Sequence, residues 1–171
     1  MINQDNRHDT ENYPMVEKCI GNVTDSLGKV LSVWDSEQIG GTRAFALFLS
    51  TYSEIARKGF STPYAGWDQS NGNKIGVIYL YDDENHAVAG GIAYEYRPVQ
   101  REGWIILSFT EPSYRGRRIN QILHQHFEAN IRLRGGNKIG SHVHVNNEAR
   151  LRSALRAGMK FEYYRMSKWI D

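Results

Sequence analysis

Three arginines crowd one short turn of this chain. An apolar run, IILSFT at residues 105–110, ends in the turn EPSYRGRR at 111–118 and passes at once into a helical pattern. A strand that turns straight into a helix leaves the first backbone N–H groups of that helix unpaired, beside the positive end of its dipole. That is an anion cradle. Arg115, Arg117 and Arg118 add charge suited to a diphosphate, and Gly116 lets a ligand come close to the main chain. The histidines offer less. His142 and His144 face one way on a strand, but no third carboxylate or thiol ligand follows nearby in sequence. His124 and His126, two apart on a helix, face away from each other, so no metal is expected. Neither a nucleophile elbow nor a glycine-rich nucleotide-hydrolase loop is present.

The elements that must position this turn follow from hydrophobic periodicity. Lys29 to Trp34 alternates as a first strand. TRAFALFLSTYSEIARKG, from Thr42, puts Phe45, Phe48, Leu49 and Ile55 on a helical stripe, with a threonine cap before it and Gly59 after it. The segment 60–73 is rich in turn formers and holds Tyr64 and Trp67, which either touch a ligand or pin the loop to the core. Strands at 74–81, 87–96 and 104–110 form an antiparallel meander. Ile119, Ile122, Leu123, Phe127 and Ile131 then recur at helical spacing until Gly135-Gly136. Residues 139–146 alternate as a strand, Asn147 can cap a helix closed by Gly158, and residues 160–170 return as a strand. The order is an α/β (α+β) mixture built on one sheet.

Size and charge bound the rest. A chain of 171 residues with 40% hydrophobic and 23% charged residues is expected to fold as one domain over 13–171, behind a polar, flexible arm at 1–12. No stretch is long and apolar enough to span a bilayer, the start lacks secretory features, and the lone Cys19 excludes an internal disulfide. A cytoplasmic location fits. Residues 1–111 hold 9 Lys/Arg against 15 Asp/Glu, whereas residues 112–171 hold 12 against 4. The basic back third either gathers phosphate-bearing ligands or is a solvated face.

The segment EPSYRGRRINQIL resembles the acyl-CoA-binding signature of the GCN5-related N-acetyltransferase (GNAT) superfamily, and HVHVNNEARLRSALRAGMKFEYYRM resembles that family's next block. Both blocks stand in the family's order and spacing, and the resemblance covers about residues 74–170. It implies the acyl-CoA N-acyltransferase fold: a mixed, mainly antiparallel central sheet of about seven strands flanked by about four helices. It also implies acetyl-CoA as co-substrate. Arg115 falls on the first motif position, and the backbone amides of Arg115, Gly116, Arg117, Arg118, Ile119 and Asn120 would hold the diphosphate. Phe109 and Thr110 end the strand whose backbone pairs with the pantetheine arm. Asn147 matches an asparagine that hydrogen-bonds this arm. Where the family has two glycines this chain has Arg118 and Asn120; Arg118 is expected to swing outward and clamp phosphate.

The usual chemistry of the family is direct aminolysis: a base deprotonates an amine, which attacks the thioester, and an acid protonates the departing thiolate. The family's tyrosine acid is Ala154 here. His142 occupies the position of a glutamate base in some relatives, and an imidazole can accept a proton at neutral pH. Glu111 is the alternative base, or an anchor for a cationic acceptor. Water, Tyr163 or Tyr164 could supply the proton. The implied function is transfer of an acetyl group to a primary amine, of a small molecule or a protein, with Glu54, Asp68, Glu95 and Glu102 available to receive a cation. The competing reading is a catalytically altered scaffold that binds or modifies nucleic acid through its basic third. The edge of the last strand makes a homodimer plausible. No membrane partner is expected.

Overall fold

The computed structural model describes residues 17–58, 72–144 and 146–161. Its elements are β1 (Glu17–Thr24), β2 (Val30–Ser36), α1 (Phe45–Arg57), β3 (Lys74–Asp82), β4 (Ala87–Arg97) and β5 (Glu102–Thr110), followed by α2 (Ile119–Leu133), β6 (Lys138–Ser141) and α3 (Glu148–Arg156). A single 3-10 turn, Pro112–Tyr114, precedes α2. The strands form one sheet in the order β1-β2-β3-β4-β5-β6. Pairing is antiparallel from β1 through β5 and parallel between β5 and β6. Among the described residues the sheet has six strands and the helices number three, against the expected seven and four.

Two apolar layers fix the faces. On one, the α2 stripe Ile119, Leu123, Phe127 and Ile131 packs on Leu31, Ile78, Leu80 and Ile92 of the sheet. On the other, Phe48 of α1 meets Phe109 of β5 edge to face, with ring centroids 5.0 Å apart. β3 is covered on both sides, as its continuous apolar run IGVIYLY requires. The expected central meander is present.

Three expectations shift. The strand read at Lys29–Trp34 is the second, not the first: β1 precedes it as an edge strand in which only Glu17 is buried, so no alternation marks it. Helix α1 is capped by Ala44 without a side-chain bond, because the Thr42 hydroxyl instead donates to Ile39 O at 2.8 Å. The strand read at 139–146 stops at Ser141. The final strand lies mostly outside the described residues, as do the arm at 1–12 and nearly all of the 60–73 loop. Asn147 caps α3 as expected, its Oδ1 accepting from Arg150 N at 3.2 Å. Among the described residues no helix is long and apolar enough to cross a membrane.

Candidate active site

β5 and β6 pair over four rungs, the last being Ile105 with Ser141. On its other edge β5 pairs Ile105 with Tyr94 and Leu107 with Ala93, which leaves Ile106 as an unmatched residue, a β-bulge. Bulge and fork coincide. A bulge turns the strand and ends regular pairing, so β5 runs on to Thr110 with its β6-side edge unzipped, and β6 ends early for the same reason. The result is a slit with its apex at Ile105/Ser141 and its mouth at Thr110.

The mouth opens on the arginine turn. Gly116 takes φ +78°, and Arg118, the residue before α2, takes φ +61°. Arg118 makes no side-chain capping bond, so the amides of Ile119, Asn120 and Gln121 have no intrahelical acceptor and face outward together. Arg115 and Arg118 are exposed. Arg117 is engaged instead: it lies 3.7 Å from Asp25 and over the Tyr114 ring at 5.1 Å. From beneath, the buried Tyr114 donates to Asp82 at 2.6 Å, and Lys29 meets the same carboxylate at 2.7 Å. Burial opposes ionisation of Asp82, but the bonds from Lys29, Tyr114 and Asn85 win and hold it well below the usual carboxylate range. The turn is therefore braced by two neighbouring hairpins before any ligand arrives.

His142 follows the apex by one residue. Its ring stands edge-on to Trp104, with centroids 4.8 Å apart and planes at 67°. Trp104 also carries the Arg97 guanidinium at 4.8 Å. Arg97 pairs with Glu95 at 2.8 Å and with Glu102 at 3.7 Å. Both carboxylates are buried and matched, so neither is placed to receive a cationic acceptor. Glu54 is exposed and pairs with Lys58. Asp68, Tyr163 and Tyr164 lie outside the described residues.

Glu111 sits at the other end of the slit. It helps line a cavity of about 390 Å³ on the α1 side, with Arg43, Tyr81, His86 and Ser113. It follows Ile106 by five positions along extended chain, about 16 Å at the usual strand rise. The two candidate bases thus occupy opposite ends of the fork and cannot act on one amine together. Phe109 turns its ring toward α1, leaving its backbone to the slit. Asn120 donates its side-chain amide to Ser153 of α3. Asn147 is tied to its own helix start. Among the described residues no group of three or more metal-ligating side chains is found.

Residues 42–159 match the Acetyltransferase (GNAT) family. The chain belongs to that family. Solved structures share the fold of this acetyltransferase at low identity. The GNAT domain of S. lividans PAT is 14% identical, with 84% of this chain and 90% of that one covered at a TM-score of 0.61. A ribosomal-protein-alanine N-acetyltransferase from Brucella melitensis biovar Abortus 2308 is 12% identical over 82% of this chain and 99% of that one, with a TM-score of 0.59. An aminoglycoside acetyltransferase, meta-AAC0020, from an uncultured soil metagenomic sample is 10% identical over 82% and 97%, also at 0.59. Among curated proteins none matches.

Sequence reasoning about this acetyltransferase missed Trp104, Arg97 and the Asp82–Tyr114 brace. One signal was available: Gly140 inside a strand marks a close approach. A Cβ there would lie 2.2 Å from Trp104 Cζ3.

Proposed function

We propose that this acetyltransferase moves an acetyl group from acetyl-CoA directly to a primary amine, both substrates being bound together. The observation behind this reading is the fork at Ile105/Ser141, which opens a strand edge between the amide cradle and His142. The amides of Ile119 and Asn120 hold the diphosphate, with Arg115 and Arg118 adding side-chain charge; the amides of Arg115 and Arg117 are already given to Pro112 O and Tyr114 O. The pantetheine arm lies along β5 as an added strand past Phe109 and Thr110, with Asn147 contributing a hydrogen bond from the far wall. An arm anchored at the mouth carries its thioester toward the apex. There His142 is the base and Glu111 is too distant, which leaves Glu111 to attract the cationic acceptor near the mouth.

In the transfer the acceptor attacks as the free amine: its nitrogen bonds to the carbonyl carbon, His142 takes the proton that this nitrogen gives up, and the C–S bond breaks. The thiolate leaves as a stable anion and takes a proton from water, so Ala154 in the place of a tyrosine is no obstacle. The acceptor is a small molecule or a protein amine.

Nucleic-acid binding finds less support. Arg117, Arg132, Arg134, Lys138 and Arg152 of the basic third each lie within 4 Å of a carboxylate.

The test is steady-state acetyl transfer to a panel of primary amines. His142→Ala is expected to lower kcat on the order of 100-fold while KM for acetyl-CoA moves less than about threefold. Equal losses in both would remove His142 from the chemistry.

A further inference from the structure

The cavity of about 390 Å³ on the α1 side takes no part in acetyl transfer. Its size falls within the range of about 300–1,000 Å³ common to small-molecule sites. Arg43 and Leu47 line it at the start of α1, Tyr81, Ala87 and Val88 at the β3–β4 hairpin, and Glu111 beyond the end of β5. A plug separates it from the apex of the fork. β4 pairs Gly91 with Phe109, and a Cβ on Gly91 would lie 2.9 Å from Phe48 and 3.1 Å from Phe109, so the α1 face is filled at that level. Val88 lies on one side of this plug along β4, and Tyr94, the partner of Ile105, on the other.

Arg43 is held in place before any ligand arrives. Its guanidinium carbon stands 4.0 Å from the centroid of the Trp34 ring and 4.8 Å from that of Tyr81. Its Nε lies 3.2 Å from Glu17 Oε1. Glu17 is itself buried, and its other oxygen accepts from the Tyr79 hydroxyl at 2.6 Å and from Arg43 N at 3.2 Å. Trp34 is fixed in turn by donating from Nε1 to Ser32 Oγ at 2.8 Å. Among the described residues, however, neither terminal nitrogen of Arg43 makes a hydrogen bond. Glu111 is the counterpart. Its backbone N–H is given to Ala89 O, but its half-buried carboxylate has no ion pair or hydrogen bond among the described residues.

The cavity thus presents a guanidinium with open donors and an unpaired carboxylate, with apolar wall between them. A simple anion would be repelled by Glu111, and a simple amine by Arg43. A zwitterion satisfies both. The planar fork of a guanidinium matches a carboxylate, and a carboxylate accepts the hydrogens of an ammonium. Leu47, Ala87 and Val88 supply wall for an apolar side chain.

We propose that this cavity binds a free α-amino acid with an apolar side chain, its carboxylate on Arg43 and its ammonium on Glu111. Because of the plug, this is a second ligand and not the amine that His142 deprotonates. The site therefore goes beyond acetyl transfer. Glu111 draws a cationic acceptor toward the mouth when the cavity is empty and holds the ammonium of this ligand when it is filled.

Calorimetry without acetyl-CoA tests the site with L-leucine, L-methionine and L-phenylalanine. At least one should saturate with a dissociation constant below about 1 mM, and its amide and its deaminated acid should each bind about 10-fold more weakly or worse. Arg43→Met and Glu111→Gln should each weaken the amino acid by about 10-fold or more, whereas the deaminated acid should be held by Glu111→Gln as by the wild type. Melting curves show which variant is folded; if Arg43→Met, which strips Glu17 of its partner, is not, Glu111→Gln decides alone. No binding of any of the three at about 10 mM overturns the proposal. So does an amide or deaminated acid that binds as tightly as the amino acid, or folded variants that bind it as the wild type does. After incubation with acetyl-CoA the bound amino acid should be recovered unchanged; N-acetylation that disappears in both variants would make it the acceptor and overturn its standing as a second ligand. Since binding is read without acetyl-CoA, failure here leaves acetyl transfer standing, and failure of acetyl transfer leaves this site standing.

Discussion

The indole of Trp104 lies flat against the backbone of Gly140, its paired neighbour across the last full stretch of the β5–β6 ladder. A Cβ added at 140 would stand 2.2 Å from Cζ3 and 2.4 Å from Cε3 of that ring. The indole occupies the space a side chain would need, one rung before the strands part, and meets the His142 ring in a T-shaped contact. It is the wedge on which the fork rests.

Gly140→Ala should therefore push the ring off the sheet, costing about 2 kcal/mol and lowering Tm by about 4–8 °C. In a Trp104→Leu background the same change should cost little. A double-mutant cycle measured by thermal unfolding checks this, and additive effects would show that the two residues do not share one space.

Arg118 holds a left-handed conformation that glycine adopts freely and other residues adopt at a cost of about 1–2 kcal/mol. Arg118→Gly and Arg118→Ala both delete the guanidinium, yet only glycine relieves the backbone. The glycine variant should be the more stable of the two by about 1 kcal/mol, while both bind acetyl-CoA equally weakly. Equal melting temperatures would place the strain elsewhere.

His124 gives the stability a pH dependence of known sign. Unfolded, an imidazole titrates near 6.5; in the fold, burial and Arg150 lower His124 to about 4. The unfolded chain binds the extra proton between those values, so the contribution is complete above about pH 6.5 and is lost as pH falls toward 4. Its full size is about 3 kcal/mol. His126, also lowered by burial, adds in the same direction. Urea midpoints from pH 7 to 4.5 should fall for the wild type and fall less for His124→Leu; parallel curves would contradict the burial argument.

Much of this was written where it could be read. The meander announced itself because β3 is covered on both faces and so carries a continuous apolar run, with two further strand patterns close behind it. The start of α3 was fixed by Asn147, whose side chain does locally what its type predicts. The arginine turn was legible as strand, turn and helix in immediate succession. β1 was not, since an edge strand with one buried residue has no period to detect. Nor was the early end of β6, because the sequence of β6 alternates past Ser141 and the bulge that stops it lies in another strand, at Ile106. His124 with Arg150, and Tyr114 with Asp82, are partners 26 and 32 residues apart that only tertiary packing brings together. Local pattern shows which residues a helix can present, not which of them a second element will meet.

Titration of the purified protein with acetyl-CoA in a calorimeter tests the central claim most directly. Saturable binding at one site per chain is expected, with a dissociation constant on the order of 1–100 μM, and with a rise in melting temperature that follows the ligand concentration. No heat and no thermal shift at millimolar acetyl-CoA would contradict the account, because a braced amide cradle leading into an unzipped strand edge would then hold no thioester carrier.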